Sequence, residues 1–193
     1  MNISKKIKEA ARSIKSMASE PEIVDAIRGM ADALILTFES GGKLIVCGNG
    51  GSASQAEHIA GEFVGKFYKE RKALPAIALT GPTATLTAVA NDYGYKRVFS
   101  RQIEALGKPG DFLLCLTTSG MSENVINVVN KSRQDIKVAA LTGGFSTPLH
   151  PLCDFSIRVP STDTARIQEA HLLIGHMLAE IVEDEMFPSR DSQ

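Results

Sequence analysis

Apolar residues recur along this chain in two different rhythms. Near the start the rhythm is helical. Residues 3–18 and 21–40 carry apolar side chains at three- and four-residue intervals, and the second run sets Ile23, Ala26, Ile27, Met30, Leu34 and Phe38 on one side between Pro21 and the stop at Gly41-Gly42. After Gly42 the pattern changes to short apolar runs at about 43–47, 75–79, 111–116, 137–141 and 154–159. These alternate with amphipathic segments at about 52–66, 83–106, 122–134 and 165–186, the second of them broken around Asn91 to Gly94. Strands that alternate with helices form βαβ units, because a parallel pair needs a crossover long enough to hold a helix. The pattern predicts an α/β fold: a five-stranded parallel sheet with helices on both faces, preceded by N-terminal helices over about 1–40, the whole of 1–193 forming one domain. The apolar stripe of the first two helices either packs on its own chain or builds an oligomer interface. The tail from Pro188 to Gln193 is expected to fray.

Ligands of such folds bind outside the carboxyl ends of the strands, and two strand ends here carry suitable chemistry. The strand at Lys43 to Cys47 runs into Gly48-Asn49-Gly50-Gly51-Ser52, where glycines let backbone N–H groups approach an anion and Ser52 opens a helix with its positive dipole end on the same point. The strand at Asp111 to Leu116 runs into Thr117-Thr118-Ser119-Gly120-Met121-Ser122 before another helix. A structural cap needs one hydroxyl, whereas Thr117, Thr118, Ser119 and Ser122 offer four, which favours phosphate binding. The first loop satisfies a loose dinucleotide pattern, yet the next strand ends Ile77-Ala78-Leu79-Thr80-Gly81 without the acidic residue that would hold a ribose. It also lacks the lysine of a P-loop. Two cradles of this kind suggest a phosphorylated, polyoxygenated small molecule.

Composition narrows the partners. A net charge of −1 with 21 dispersed basic residues argues against a nucleic-acid surface. No apolar stretch reaches the roughly 20 residues that span a bilayer, and the N-terminus has no uninterrupted apolar core of an export signal. Cys47, Cys115 and Cys153 have no metal-type spacing and read as reduced core thiols of a cytoplasmic protein.

Groups fit for proton transfer lie on two helices. His58 and Glu62 are four residues apart on the helix that opens at Ser52, opposite an apolar face of Ala56, Ile59, Ala60, Phe63 and Phe67. On the last helix Gln168 and His176 share a side, being about 80° apart around the axis, whereas His171 points away and reads as structural or interfacial. His58, Glu62, Gln168 and His176 would suit Zn²⁺, although Gln168 and His176 are about 12 Å apart along the axis, so both must extend toward a central ion. A metal-free acid/base pair accounts for the same residues equally well.

Taken together, several segments resemble the phosphoheptose isomerases of the sugar isomerase (SIS) domain family over nearly the whole length. They are Gly48 to Ala53, His58-Ile-Ala-Gly-Glu62, Leu74 to Leu79, Asn91-Asp-Tyr-Gly94, Phe99-Ser-Arg-Gln102, Thr118-Ser-Gly120 with Ser122, and Ala165-Arg-Ile-Gln-Glu169 with His176. The resemblance implies a flavodoxin-like SIS domain, a homotetramer with sites shared between subunits, and conversion of D-sedoheptulose 7-phosphate to D-glycero-D-manno-heptose 7-phosphate, a precursor of bacterial lipopolysaccharide core heptose. It implies sugar contacts from Asn49, Gly50, Gly51, Asn91 and Asp92, and a phosphate held by Thr117, Thr118, Ser119 and Ser122. It also implies metal ligands at His58, Glu62, Gln168 and His176. Enediolate chemistry then assigns Glu62 as base and His176 as acid partner, with Zn²⁺ polarising the reacting oxygens. The chain departs from the family at Ala165, where an aspartate is expected; Asp163 is the nearest substitute. A second reading is a non-catalytic SIS tetramer like the bacterial factor that binds the replication initiator. That relative lacks the histidine equivalent to His176, which this chain has.

Overall fold

The computed structural model of the chain describes residues 2–188. The frayed tail expected from Pro188 onward falls, beyond Pro188 itself, outside the described residues. Two helices come first. Helix α1 (Ile3–Met17) is capped by Asn2, whose Oδ1 accepts from the Lys5 N–H at 3.0 Å, and α2 (Pro21–Glu39) starts on its proline. There follow β1 (Leu44–Gly48), α3 (Gly51–Val64), β2 (Ala76–Ala78), α4 (Thr83–Tyr93), α5 (Ser100–Leu106), β3 (Phe112–Leu116), α6 (Glu123–Ser132), β4 (Lys137–Thr142), β5 (Phe155–Arg158) and α7 (Thr164–Met186).

All five strands are parallel, in the order β2-β1-β3-β4-β5. Every residue of β1 and β3 is buried, as expected of strands covered on both faces. Alternation divides the core. Leu44, Val46, Phe112 and Leu114 pack toward α2, α3 and α7, while Ile45, Cys47, Leu113 and Cys115 pack toward α5 and α6. At the amino end of the sheet the nearly buried Asp111 carboxylate accepts from the Lys43 N–H at 3.0 Å and the Lys108 N–H at 2.9 Å, and pairs with Lys43 Nζ at 2.5 Å. This pins the register Leu44↔Phe112 that runs on to Gly48↔Leu116.

The strand order fixes where a ligand can sit. From β1 the chain moves outward through α3 to β2, then returns to the other side of β1 to form β3, so the loops that leave β1 and β3 diverge and open a crevice between them. Both hydroxyl- and glycine-rich loops flank that crevice.

The helix read over 83–106 breaks inside the expected Asn91 to Gly94 stretch, at Gly94: α4 keeps its hydrogen bonds through Tyr93 and the Gly94 N–H still reaches the Ala90 carbonyl at 3.1 Å. One local expectation is corrected. Helix α3 ends at Val64, so Phe67 is not part of its apolar face; it lies in the connection to β2 and packs its ring against His176, centroids 5.7 Å apart. The cysteines are free. Cys47 and Cys115 stand side by side with Sγ atoms 3.6 Å apart, and the adjoining thiol together with burial pushes Cys115 well above its ordinary pKa. Burial pushes Cys153 up to about 12. Neither Cys115 nor Cys153 is a thiolate at neutral pH.

Candidate active site

The site begins where β1 ends. Gly50 precedes α3 with φ of +57°, a conformation glycine adopts without the Cβ penalty, and it turns the first N–H groups of α3 into the crevice. Asn49, read as a sugar contact, has its side chain committed within the protein. Its Nδ2 donates to Asn124 Oδ1 at 2.9 Å, and its Oδ1 accepts from Asn124 Nδ2 at 2.8 Å and from the Tyr95 hydroxyl at 2.9 Å. The reciprocal amide pair bridges the loops after β1 and β3 and holds the crevice at fixed width. Neither Asn124, 3% exposed in the first turn of α6, nor Tyr95 was legible as a site residue. An amide next to a serine cap carries no periodic or spacing signal.

Across the crevice, Thr117 is buried and its Oγ1 accepts from the Gly120 N–H at 3.2 Å. Ser119 Oγ accepts from the Met121 N–H at 3.1 Å. Each of these hydroxyls keeps its hydrogen for an anion. Ser122 occupies the N-cap of α6 but makes no side-chain cap bond, and Thr118 is half-buried beside it. A helix of ten residues, Glu123–Ser132, directs its dipole at the same point.

Helices α3 and α7 run side by side because Gly175 admits Ile59: a Cβ at position 175 would stand 2.5 Å from both Cδ1 and Cγ1 of Ile59. This contact brings together residues 118 positions apart in the chain. His58 Nε2 lies 3.0 Å from Glu62 Oε1 and 3.0 Å from His176 Nε2, and the two imidazole rings are 5.2 Å apart. His58 and Glu62 retain 48% and 22% of their side-chain exposure, so the cluster is open in the protomer. Gln168 is two turns earlier on α7, where its amide lies over Gly51, with Nε2 2.6 Å from the position a Cβ there would take. The Gln168 backbone carbonyl accepts from Gln55 Nε2 at 2.6 Å, a second tie between α3 and α7.

The remaining expected residues lie around this centre. Asn91 and Asp92 are exposed on the last turn of α4 and pair with each other at 2.8 Å; the link to the cradle comes three residues on, through Tyr95. Asp163 caps α7, accepting from the N–H groups of Ala165 and Arg166 at 2.9 and 3.3 Å, which accounts for it without a reactive role. His171 is fully buried, and desolvation lowers its pKa to about 4, so it is neutral.

The three converging groups fit a cation. A single hydrogen on His58 Nε2 cannot fully satisfy both a carboxylate oxygen and a second imidazole nitrogen, whereas a divalent ion accepts lone pairs from all three. Their donor atoms lie within 4.8 Å of one another, and the 3.0 Å separations approach the edge of about 3.3 Å that bonds of Zn²⁺ length would give a tetrahedron. Two imidazoles and a carboxylate are also the donor types of zinc sites.

Comparison with known proteins identifies the family. The family model for the SIS domain matches residues 6–143. The phosphoheptose isomerase of Burkholderia pseudomallei (strain K96243) is 43% identical over 186 residues, covering 96% of this chain and 94% of its own. That of Roseiflexus sp. (strain RS-1) is 47% identical over 180 residues, 93% and 91% of the two chains. Among solved structures, the phosphoheptose isomerase GmhA of Neisseria gonorrhoeae superposes with a TM-score of 0.88 at 36% identity, covering 94% of this chain and 97% of that one. A phosphoheptose isomerase from Francisella tularensis gives 0.86 at 42% identity, covering 95% and 100%.

Proposed function

We propose that this chain, which belongs to the phosphoheptose isomerases of the SIS domain family and is an aldose–ketose isomerase of sugar phosphates, interconverts D-sedoheptulose 7-phosphate and D-glycero-D-manno-heptose 7-phosphate. The observation that carries this reading is the meeting of Glu62, His58 and His176 at 3.0 Å on two helices. Of these, α3 starts at the crevice lined by Thr117, Thr118, Ser119 and Ser122.

In the forward direction Glu62 removes a proton from C1, beside the C2 carbonyl, and the electron pair forms the C1–C2 double bond of an enediolate. His176 returns a proton to C2, and the C1 hydroxyl proton passes to the C2 oxygen as the C1 carbonyl forms, so atoms balance without a redox partner. The phosphate sits on the hydroxyl loop and the N-terminus of α6, which fixes the reacting carbons with respect to Glu62. Backbone groups of Gly50 and Gly51, with Gln168, Asn91 and Asp92, contact the sugar chain; Asn49 contributes its backbone, its side chain being held by Asn124 and Tyr95. His58, Glu62 and His176 would hold Zn²⁺, and the Gln168 amide oxygen is the candidate for a further ligand. Bound there, the ion supplies Lewis-acid stabilisation of oxyanion charge.

The chain acts as one SIS domain with a helical extension and assembles as a homotetramer. Exposed Ile3, Ile7, Val24 and Leu36 on α1 and α2, and an apolar groove between Ile14, Met17, Ile23 and Met177, support assembly. So does the openness of the His58 cluster, which a neighbouring subunit would cover. No helix among the described residues is long and apolar enough to cross a membrane; three free thiols, two of them buried, suit a cytoplasmic enzyme. The relatives lend no support to the non-catalytic, initiator-binding alternative.

The test is to incubate metal-stripped and Zn²⁺-supplemented protein with sedoheptulose 7-phosphate and follow the aldose. Product is expected, faster with Zn²⁺. Absence of product in both arms rejects the substrate assignment, and equal rates reject a role for the ion. Glu62→Gln is expected to bind the substrate but lose turnover by at least a hundredfold.

A further inference from the structure

A buried ion pair outside the reacting groups touches both halves of the site. The side chains of Arg71 and Glu183 are each 1% exposed, with Arg71 Nε 2.8 Å from Glu183 Oε1. The guanidinium closes the carboxyl end of α3: Nη2 donates to the Glu62 carbonyl at 2.9 Å and Nη1 to the Phe63 carbonyl at 2.9 Å. It thereby takes over backbone acceptors that the end of a helix leaves free, one of them belonging to Glu62 itself. Glu183 is seven residues beyond His176 on α7, about two turns along the same side. Its carboxylate accepts from the N–H groups of Phe67 at 3.1 Å, Tyr68 at 2.6 Å and Lys69 at 2.8 Å. Burial by itself would raise this carboxyl, but those three N–H groups and Arg71 hold it below the usual carboxylate range. The segment held in this way delivers the Phe67 ring against His176, which in turn faces His58.

We infer that the Arg71–Glu183 pair is a positioning device for the reaction, holding Glu62 through its carbonyl and His176 through Phe67, so that base and acid partner stay in register across α3 and α7. This rests on the assignment of Glu62 and His176 above. A pair that served stability alone would need contacts with neither group. Here one partner bonds the base's own backbone and the other anchors the aromatic wall of the acid partner. Arginine is required by shape, since a lysine ammonium cannot reach Glu183 and two successive carbonyls from one planar fork.

Glu183→Gln, Arg71→Lys and Phe67→Leu test the inference, by steady-state kinetics with sedoheptulose 7-phosphate, thermal melting, and NMR of ¹³C-labelled histidine rings with the His176 signal assigned by its loss in His176→Gln. Misplacement of about 1 Å is expected to lower kcat ten- to a hundredfold with KM within twofold. The His176 ring signals should move as the Phe67 ring current is lost. Phe67→Leu leaves the ion pair intact and decides the matter if the charged-pair variants do not fold. A folded variant with wild-type kcat, or one whose His176 signals do not move, overturns the inference. If wild-type protein fails to turn over this sugar, the substrate assignment falls, while the NMR measurement still reports on the positioning of His176.

Discussion

Gly175→Ala is the sharpest test of how the site is assembled. The added methyl carbon would stand 2.5 Å from Cδ1 and from Cγ1 of Ile59, whereas carbon atoms at rest are about 3.5–4.0 Å apart. Ile59 is fully buried and cannot swing clear, so α3 and α7 must separate by about 1 Å. Two terms oppose each other in stability. Alanine gains roughly 0.8–1 kcal/mol over glycine inside a helix, and overpacking costs typically 1–3 kcal/mol, for a net loss of about 1 kcal/mol. Activity should suffer more, because position 175 adjoins His176 and Ile59 adjoins His58: the same 1 Å pulls His176 from His58 and Glu62, and kcat should fall on the order of a hundredfold. Aldose formation and thermal melting of purified Gly175→Ala check this. Adding Ile59→Ala makes room for the methyl and should restore much of the turnover without restoring the melting temperature, since it leaves its own cavity. Wild-type kcat in Gly175→Ala would refute the claim that helix proximity sets the site.

Other consequences are equally direct. His171 is neutral in the fold with a pKa of about 4 and about 6.5 when unfolded, so its contribution is complete above pH 6.5 and declines as pH falls toward 4. Between pH 7.5 and 5.5 the wild type should lose about 1 kcal/mol of unfolding free energy that His171→Leu does not lose; equal pH slopes in urea denaturation at one protein concentration would contradict the burial argument. Ser122→Ala removes a hydroxyl that makes no cap bond, so melting should be nearly unchanged while KM rises about tenfold, the value of one hydrogen bond to a charged group. A drop in stability at constant KM would make Ser122 a cap instead. Asn124→Ala should unpair Asn49 and raise KM several-fold, with Tyr95→Phe giving a smaller effect, and unchanged kinetics in both would mean that the amide bridge does not set the crevice.

What the sequence determined by itself is what repeats locally. Strand and helix periods are written in neighbouring residues, so the βαβ alternation, the glycine loop after β1, the hydroxyl loop after β3 and the shared faces of His58 with Glu62 and Gln168 with His176 were all legible. Tertiary structure decided which of those faces meet. Only the order β2-β1-β3-β4-β5 makes the two loops neighbours across one crevice, and the close packing of α3 on α7 at Ile59 and Gly175 brings His176 to 3.0 Å from His58. The same holds where the sequence reading went astray. Phe67 continued the helical pattern on paper, but α3 stops at Val64, where Arg71 takes the Glu62, Phe63 and Gly65 carbonyls, and the Phe67 ring turns to His176. Asn49 looked free to meet a sugar until a partner 75 positions away claimed its amide. Pairings across such distances depend on how closely two packed surfaces approach, a property that no local period encodes.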